Sequence, residues 1–266
     1  MLDQQDRKFF LRLCALAVLA AGLWYFSGKS SGRNFAQDHT QAATTLPITT
    51  RQLPPTNGTV SVELKCGHAE LSAPNAVEKF PCTIINNTNK RISAVAVTYS
   101  ISLEKDGKVS SHDEVLTLET FVHSDIREER KDNLIPPGGE RPVRPLPVSF
   151  DDALIKAVSM QVDYVEFEDA SSTGPDKAGS RIIAGIREGA AKYRKWLLGR
   201  YGRSGKSIDA MTALIQDDAI PEGELGIENE NQRQGAFMYR NYLLRTSETK
   251  GVESLARFLE RKSRPK

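Results

Sequence analysis

Apolar and polar positions follow three different rhythms along the chain, and each rhythm marks a region. From Phe9 to Phe26 there is no alternation: the run is apolar, interrupted once by Arg12. From Val60 to Phe167 apolar residues recur at every second position. Val60, Val62, Leu64 and Cys66 alternate with Thr59, Ser61, Glu63 and Lys65. Val95, Val97, Tyr99, Ile101 and Leu103 face away from Ala94, Ala96, Thr98, Ser100 and Ser102, the pattern of a strand with one buried side. From Asp176 onward the spacing is helical, with Ile182, Ile183, Ile186, Ala190, Tyr193 and Leu197 on one stripe.

Turn chemistry divides these regions into elements. Asp106-Gly107 supplies the left-handed positions of a tight hairpin. Phe80, Cys82 and Ile84 predict a short strand before the turn at Asn86–Asn89. Pro142, Pro145 and Pro147 confine their segment to an edge or a bulge. Val158, Met160, Val162 and Tyr164 share a face, and Val165 and Phe167 fall on the opposite one. That phase change predicts a bulge or a strand with two packing partners. A helix is expected from Pro175-Asp176 to Gly199 and Gly202, and a second over Ile208–Gln216. An acidic loop spans Asp217–Glu230, a third helix covers Gln234–Arg245, and a last one is capped by Thr249. The first helix carries Arg181, Arg187, Lys192, Arg194 and Lys195 opposite its apolar stripe. Such a face is ordinarily solvated; its functional reading is contact with anionic headgroups or an acidic partner.

About seven strands in roughly 110 residues favour an antiparallel sandwich. The segments CTIINNTNKRISAVAVTYSI (Cys82–Ile101), KDGK (Lys105–Lys108) and IPPGGE (Ile135–Glu140) resemble bacterial extracytoplasmic immunoglobulin-like or fibronectin-III-like modules. The chain departs from antibody domains in lacking a Trp between paired cysteines. The resemblance implies a binding or spacer module. The expected fold class is therefore α+β: a membrane-anchor helix over 1–26, a flexible linker over 27–57, an antiparallel Ig-like β-sandwich over 58–170, and C-terminal amphipathic helices over 175–266.

The N-terminal run has two membrane readings. Ala20-Ala21-Gly22 suits a cleaved signal peptide, which would leave a secreted chain. Leu23-Trp24-Tyr25-Phe26 suits an uncleaved single-pass anchor, because large aromatics favour the membrane interface. A buried helix of a cytosolic protein is the third reading. The anchor is preferred, with the body periplasmic or at the cell surface. In an oxidising space Cys66 and Cys82 are expected to form a disulfide; the alternative is two buried free thiols.

Composition narrows the chemistry. Among 266 residues, 39% are hydrophobic and 26% charged, which excludes a disordered or polytopic membrane chain. Lys+Arg 36 against Asp+Glu 34 gives +2 and no argument for nucleic acid. Three Cys exclude a four-Cys zinc site, and four His leave little for a His-built centre. Gly205-Lys206-Ser207 is not a phosphate loop: Arg200 occupies the required Gly position, and a helix precedes it rather than a strand. His112 and His123 would need a third ligand such as His68, Asp113 or Glu119 to converge on them before they could hold zinc, and exposed strand or loop histidines are the default reading. Asp163, Glu166, Glu168, Asp169 and Asp176 cluster without the spacing of a calcium loop. No catalytic residue, cofactor or metal ligand is assigned. The expected function is a non-enzymatic interaction or envelope-scaffold module. Its partners would be another envelope protein and, through the N-terminal helix, the membrane; the oligomeric state stays open. Two rivals remain, an envelope enzyme with its site between sandwich and helices, and a module contacting anionic lipid or cell wall.

Overall fold

The computed structural model describes residues 44–53, 61–120, 122, 134–217 and 219–263. Its strands are β1 (Thr44–Arg51), β2 (Val62–Cys66), β3 (His68–Ala73), β4 (Ala76–Lys79), β5 (Cys82–Asn86), β6 (Ile92–Lys105), β7 (Lys108–Glu119), β8 (Glu140–Val143), β9 (Val148–Ser149), β10 (Leu154–Phe167) and β11 (Ser172–Thr173). The helices are α1 (Gly179–Arg203), α2 (Ile208–Gln216), α3 (Glu222–Leu225), α4 (Glu230–Lys250) and α5 (Val252–Ser263).

The strands form a curled mixed sheet, in the order β7-β6-β10-β1-β3-β4-β9 with β11 beside β10, and a three-stranded sheet β2-β5-β8. This corrects the expected antiparallel Ig-like sandwich. Ile48–Arg51 of β1 run parallel to Val158–Gln161 of β10, whereas Thr44–Pro47 run antiparallel to His68–Leu71 of β3. One strand thus serves two partners with its two halves, and the sheet curls there. Pro47, which lacks a donor, sits where β1 changes partner. The strand falls inside the stretch read as linker. With only Leu46, Pro47 and Ile48 among polar residues it has no period to detect.

The expected single-pass membrane location is corrected as well. Among the described residues no helix is long and apolar enough to cross a membrane. The segment 1–26 that carried that expectation lies outside the described residues.

The β6–β7 hairpin forms as its turn predicts, with Asp106 at φ 52° and Gly107 at φ 72°. β6 is buried on both faces from Ile92 to Val97. Val95, Val97, Tyr99, Ile101 and Leu103 enter the core shared with Leu64, Ile84, Val158, Met160 and Val162. Ala94 and Ala96 face the other way, where with Tyr164 they meet Ile183 of α1. Small side chains on that face allow the helix to come close: a Cβ on Gly179 would lie 2.8 Å from the Ala96 Cβ.

The phase change in β10 is a bulge between Val162 and Tyr164. Its outcome differs from the pattern read in the sequence. The extra residue, Asp163, returns Val165 and Phe167 to the same core as Val162, and Tyr164 turns to the helix.

The helices enclose a second core of Ile186, Tyr193, Leu197, Met211, Ile215, Tyr239, Leu243 and Phe258. α1 and α4 touch backbone to backbone. A Cβ on Gly189 would lie 1.8 Å from the Gln232 carbonyl oxygen, and one on Gly235 1.8 Å from that of Ile186. α1 ends at Arg203, one residue past Gly202, with Tyr201 buried between the two glycines. Thr249 lies inside α4, its hydroxyl donating to the Arg245 carbonyl, and Gly251 (φ 80°) separates α4 from α5.

Candidate functional site

The junction of sheet and helices concentrates the buried charge. Asp163, released by the bulge, is buried and aims its carboxylate at the start of α1. Its Oδ1 accepts from the Lys177 amide at 2.9 Å, and its Oδ2 from the amides of Ala178 at 3.0 Å and Gly179 at 2.8 Å. These donors have no partner within the helix, and the helix dipole favours an anion there.

Two turns along α1, Arg187 reaches back to the sheet. Its Nε donates to Glu119 at 2.8 Å, and its two terminal nitrogens donate in parallel to Glu166 at 2.8 and 3.0 Å. The Glu119 side chain is fully buried, and its second oxygen accepts from the Val122 amide at 2.7 Å. Ser93 and Tyr164 donate to Glu166 at 3.1 and 3.3 Å. Burial pushes the Glu166 carboxyl up, but Arg187, Ser93 and Tyr164 outweigh it and hold the group below its ordinary value. Burial likewise opposes the Arg187 charge, and Glu166 and Glu119 overcome it. Bidentate geometry and mutual satisfaction make this cluster a clamp between β6, β7, β10 and α1.

The basic face of α1 is not one surface. Arg187 faces the clamp. Lys192 donates to the Gly226 carbonyl at 2.7 Å and to Gln232 at 3.0 Å, and pairs with Glu188. Arg194 is half-buried, and Arg181 and Lys195 are exposed at distant points of the helix. The acidic strand end disperses too: Asp163 caps α1, Glu166 binds Arg187, Asp169 pairs with Lys90, and Asp176 accepts from the Ser180 amide. Among the described residues no group of three or more His, Cys, Asp or Glu side chains could hold a metal ion. His112 contacts Glu114 and the Phe150 ring; His123 lies outside the described residues. Lys206 occupies a left-handed turn, and Ser207 caps α2 by accepting from the Ala210 amide. Cys66 and Cys82 are paired directly across β2 and β5 and are joined by a disulfide that packs on Met160.

A surface cleft lies where α1 ends and α2 begins. An open cleft of about 570 Å³ is lined by Arg200, Arg203 and Ser204 on one side and Ala210, Met211, Ala213 and Leu214 on the other, with Asp217 at the end of α2. α2 is held in place from behind by buried Arg240, whose Nε donates to the Ile215 carbonyl at 2.9 Å. A cation at a helix C-terminus satisfies open carbonyls and complements the dipole. Arg200 lies over the Trp196 ring and, with the Trp196 indole, holds Glu224. Arg203 is exposed on the rim.

Sequence reasoning missed this cleft. The expected helix end at Gly199 and Gly202 lies one residue from the observed end at Arg203, but no local pattern brings Arg200 and Arg203 beside α2. The apolar Ala210-Met211 and Ala213-Leu214 steps were the signal for the opposite wall. No protein-family model matches the chain, and no curated protein does.

Proposed function

We propose that this chain is a non-catalytic protein-interaction module that docks its partner in the α1–α2 cleft. The observation that carries the reading is the composition of the cleft. It combines an apolar wall of Ala210, Ala213 and Leu214 with an arginine rim on which Arg203 is exposed and Arg200 is held by Glu224. Such a surface suits a protein segment that presents apolar side chains flanked by carboxylates. Rim charges select and steer the encounter. The same reading accounts for the junction, where an enzyme site would need polar groups facing a substrate. There Asp163, Glu119, Glu166 and Arg187 face one another or the start of α1, which suits a structural role for them.

The test is a photoreactive amino acid at exposed Ala213 in the full chain, in the source cells, with exposed Lys65 as the control position. One discrete protein adduct is expected from position 213 and none of that mass from position 65. The adduct should vanish when Arg203→Glu is added. Identical adducts from both positions, or an adduct indifferent to Arg203→Glu, would overturn the reading.

A further inference from the structure

The long edge of the curled sheet has a chemistry of its own. β7 is twelve residues long, pairs with β6 in unbroken register from Lys105↔Lys108 to Ala94↔Glu119, and contains no Pro. Among the described residues no strand pairs with its outer side. The other edges differ in form: β9 has two residues, β8 carries Pro142, and β2 has five residues. Natural sheets blunt edges by shortness, bulges, Pro or charged side chains, because an open ladder recruits another strand. β7 is long, unbulged and free of Pro, and has only the charges of Lys108, Asp113 and Glu114, which repel a neutral or like-charged strand but can pair with a complementary one; Lys108, Val109, Ser110 and Ser111 are exposed along it.

The hairpin determines which backbone groups are open. Asp106-Gly107 closes a two-residue loop, so Lys105 and Lys108 exchange both hydrogen bonds. Alternation then turns the N–H and C=O of Val109, Ser111, Asp113 and Val115 outward, while Lys108, Ser110, His112 and Glu114 bond to β6.

We propose that two copies of this chain associate through β7, antiparallel and centred on Ser111. In that register Ser111 pairs with its own counterpart and Val109 with Asp113 of the other copy. Ser110 opposes His112, and Lys108 opposes Glu114 twice, once on each side of the two-fold axis. Lys108 and Glu114 lie on the same face of the strand, so these pairs are of opposite charge and directly across from each other. Shifting the centre to Asp113 would set two aspartates against each other. Charge complementarity thus selects both the partner, a second copy, and the register. The result is one continuous sheet through an isologous interface.

The test is sedimentation of the full chain over a wide concentration range. The wild type should rise from 29.4 kDa toward twice that mass. Lys108→Glu and Glu114→Lys should each weaken association by about tenfold or more, and the double exchange should restore it. Ser111→Pro removes an outward N–H, leaves the β6 ladder bonded, and should yield monomer with an unchanged circular dichroism spectrum. A wild type that stays at 29.4 kDa at every concentration, or a dimer indifferent to the single charge reversals, overturns the proposal.

Discussion

The carboxylate of Asp163 lies 2.8 Å from the amide nitrogen of Gly179, so a bulge in a strand caps the longest helix of the described chain. The two residues explain each other. The bulge frees Asp163 from the ladder, and Gly179 lets the helix start against Tyr164, where a Cβ would come within 2.4 Å. Asp163→Ala leaves three amides without their acceptor and is expected to lower unfolding free energy by about 2 kcal/mol. Asp163→Asn keeps one acceptor and should lose less. Urea unfolding at neutral pH measures both.

The clamp predicts a pH dependence with a definite sign. The folded-state pKa of Glu166 is depressed below 4.5 by its partners, so its contribution is complete above pH 4.5 and is lost as pH falls from there through the folded value. Glu166→Gln should be less stable than the wild type at neutral pH, and the gap should narrow as pH drops below 4.5. Parallel urea titrations across that range follow the gap; a gap that widens toward acid would contradict the assignment.

Two glycines of α1 predict opposite effects of one substitution. Gly189→Ala drives a methyl into the Gln232 carbonyl, which neither backbone can evade, and should cost about 3 kcal/mol or more. Gly202→Ala meets nothing within 4 Å inside the same helix and should gain about 0.5–1 kcal/mol. Thermal melts of the two variants against the wild type decide the matter.

The disulfide closes a short loop, with a sequence separation of 16, between neighbouring strands of the smaller sheet. On the chain-entropy account its loss costs about 3 kcal/mol. A reductant should therefore lower the melting temperature of the wild type and leave a Cys66→Ala/Cys82→Ala variant unmoved.

What the sequence revealed follows from the range of the interactions. β6 and β7 were legible because their period and Asp106-Gly107 are local signals, and α2 falls on the expected Ile208–Gln216. β1 was not, since Thr44–Arg51 is recruited by strands far away in sequence and has little apolar pattern of its own. The basic stripe misled for the same reason. Arg187 reads as solvated until Glu119 and Glu166 arrive from two other strands. The cleft stayed hidden because its two walls, Arg200–Ser204 at the end of α1 and Ala210–Leu214 of α2, meet only through the packing of the two helices.

The most direct test of the interaction reading is the dissociation constant of the protein captured at Ala213, measured by calorimetry with purified full-length chain. Arg203→Glu is expected to weaken binding by about tenfold or more, a loss of about 1.4 kcal/mol, while Lys65→Glu, an exposed change in β2 away from the residues that line the cleft, leaves it unchanged. Equal affinities for the wild type and Arg203→Glu would contradict the account.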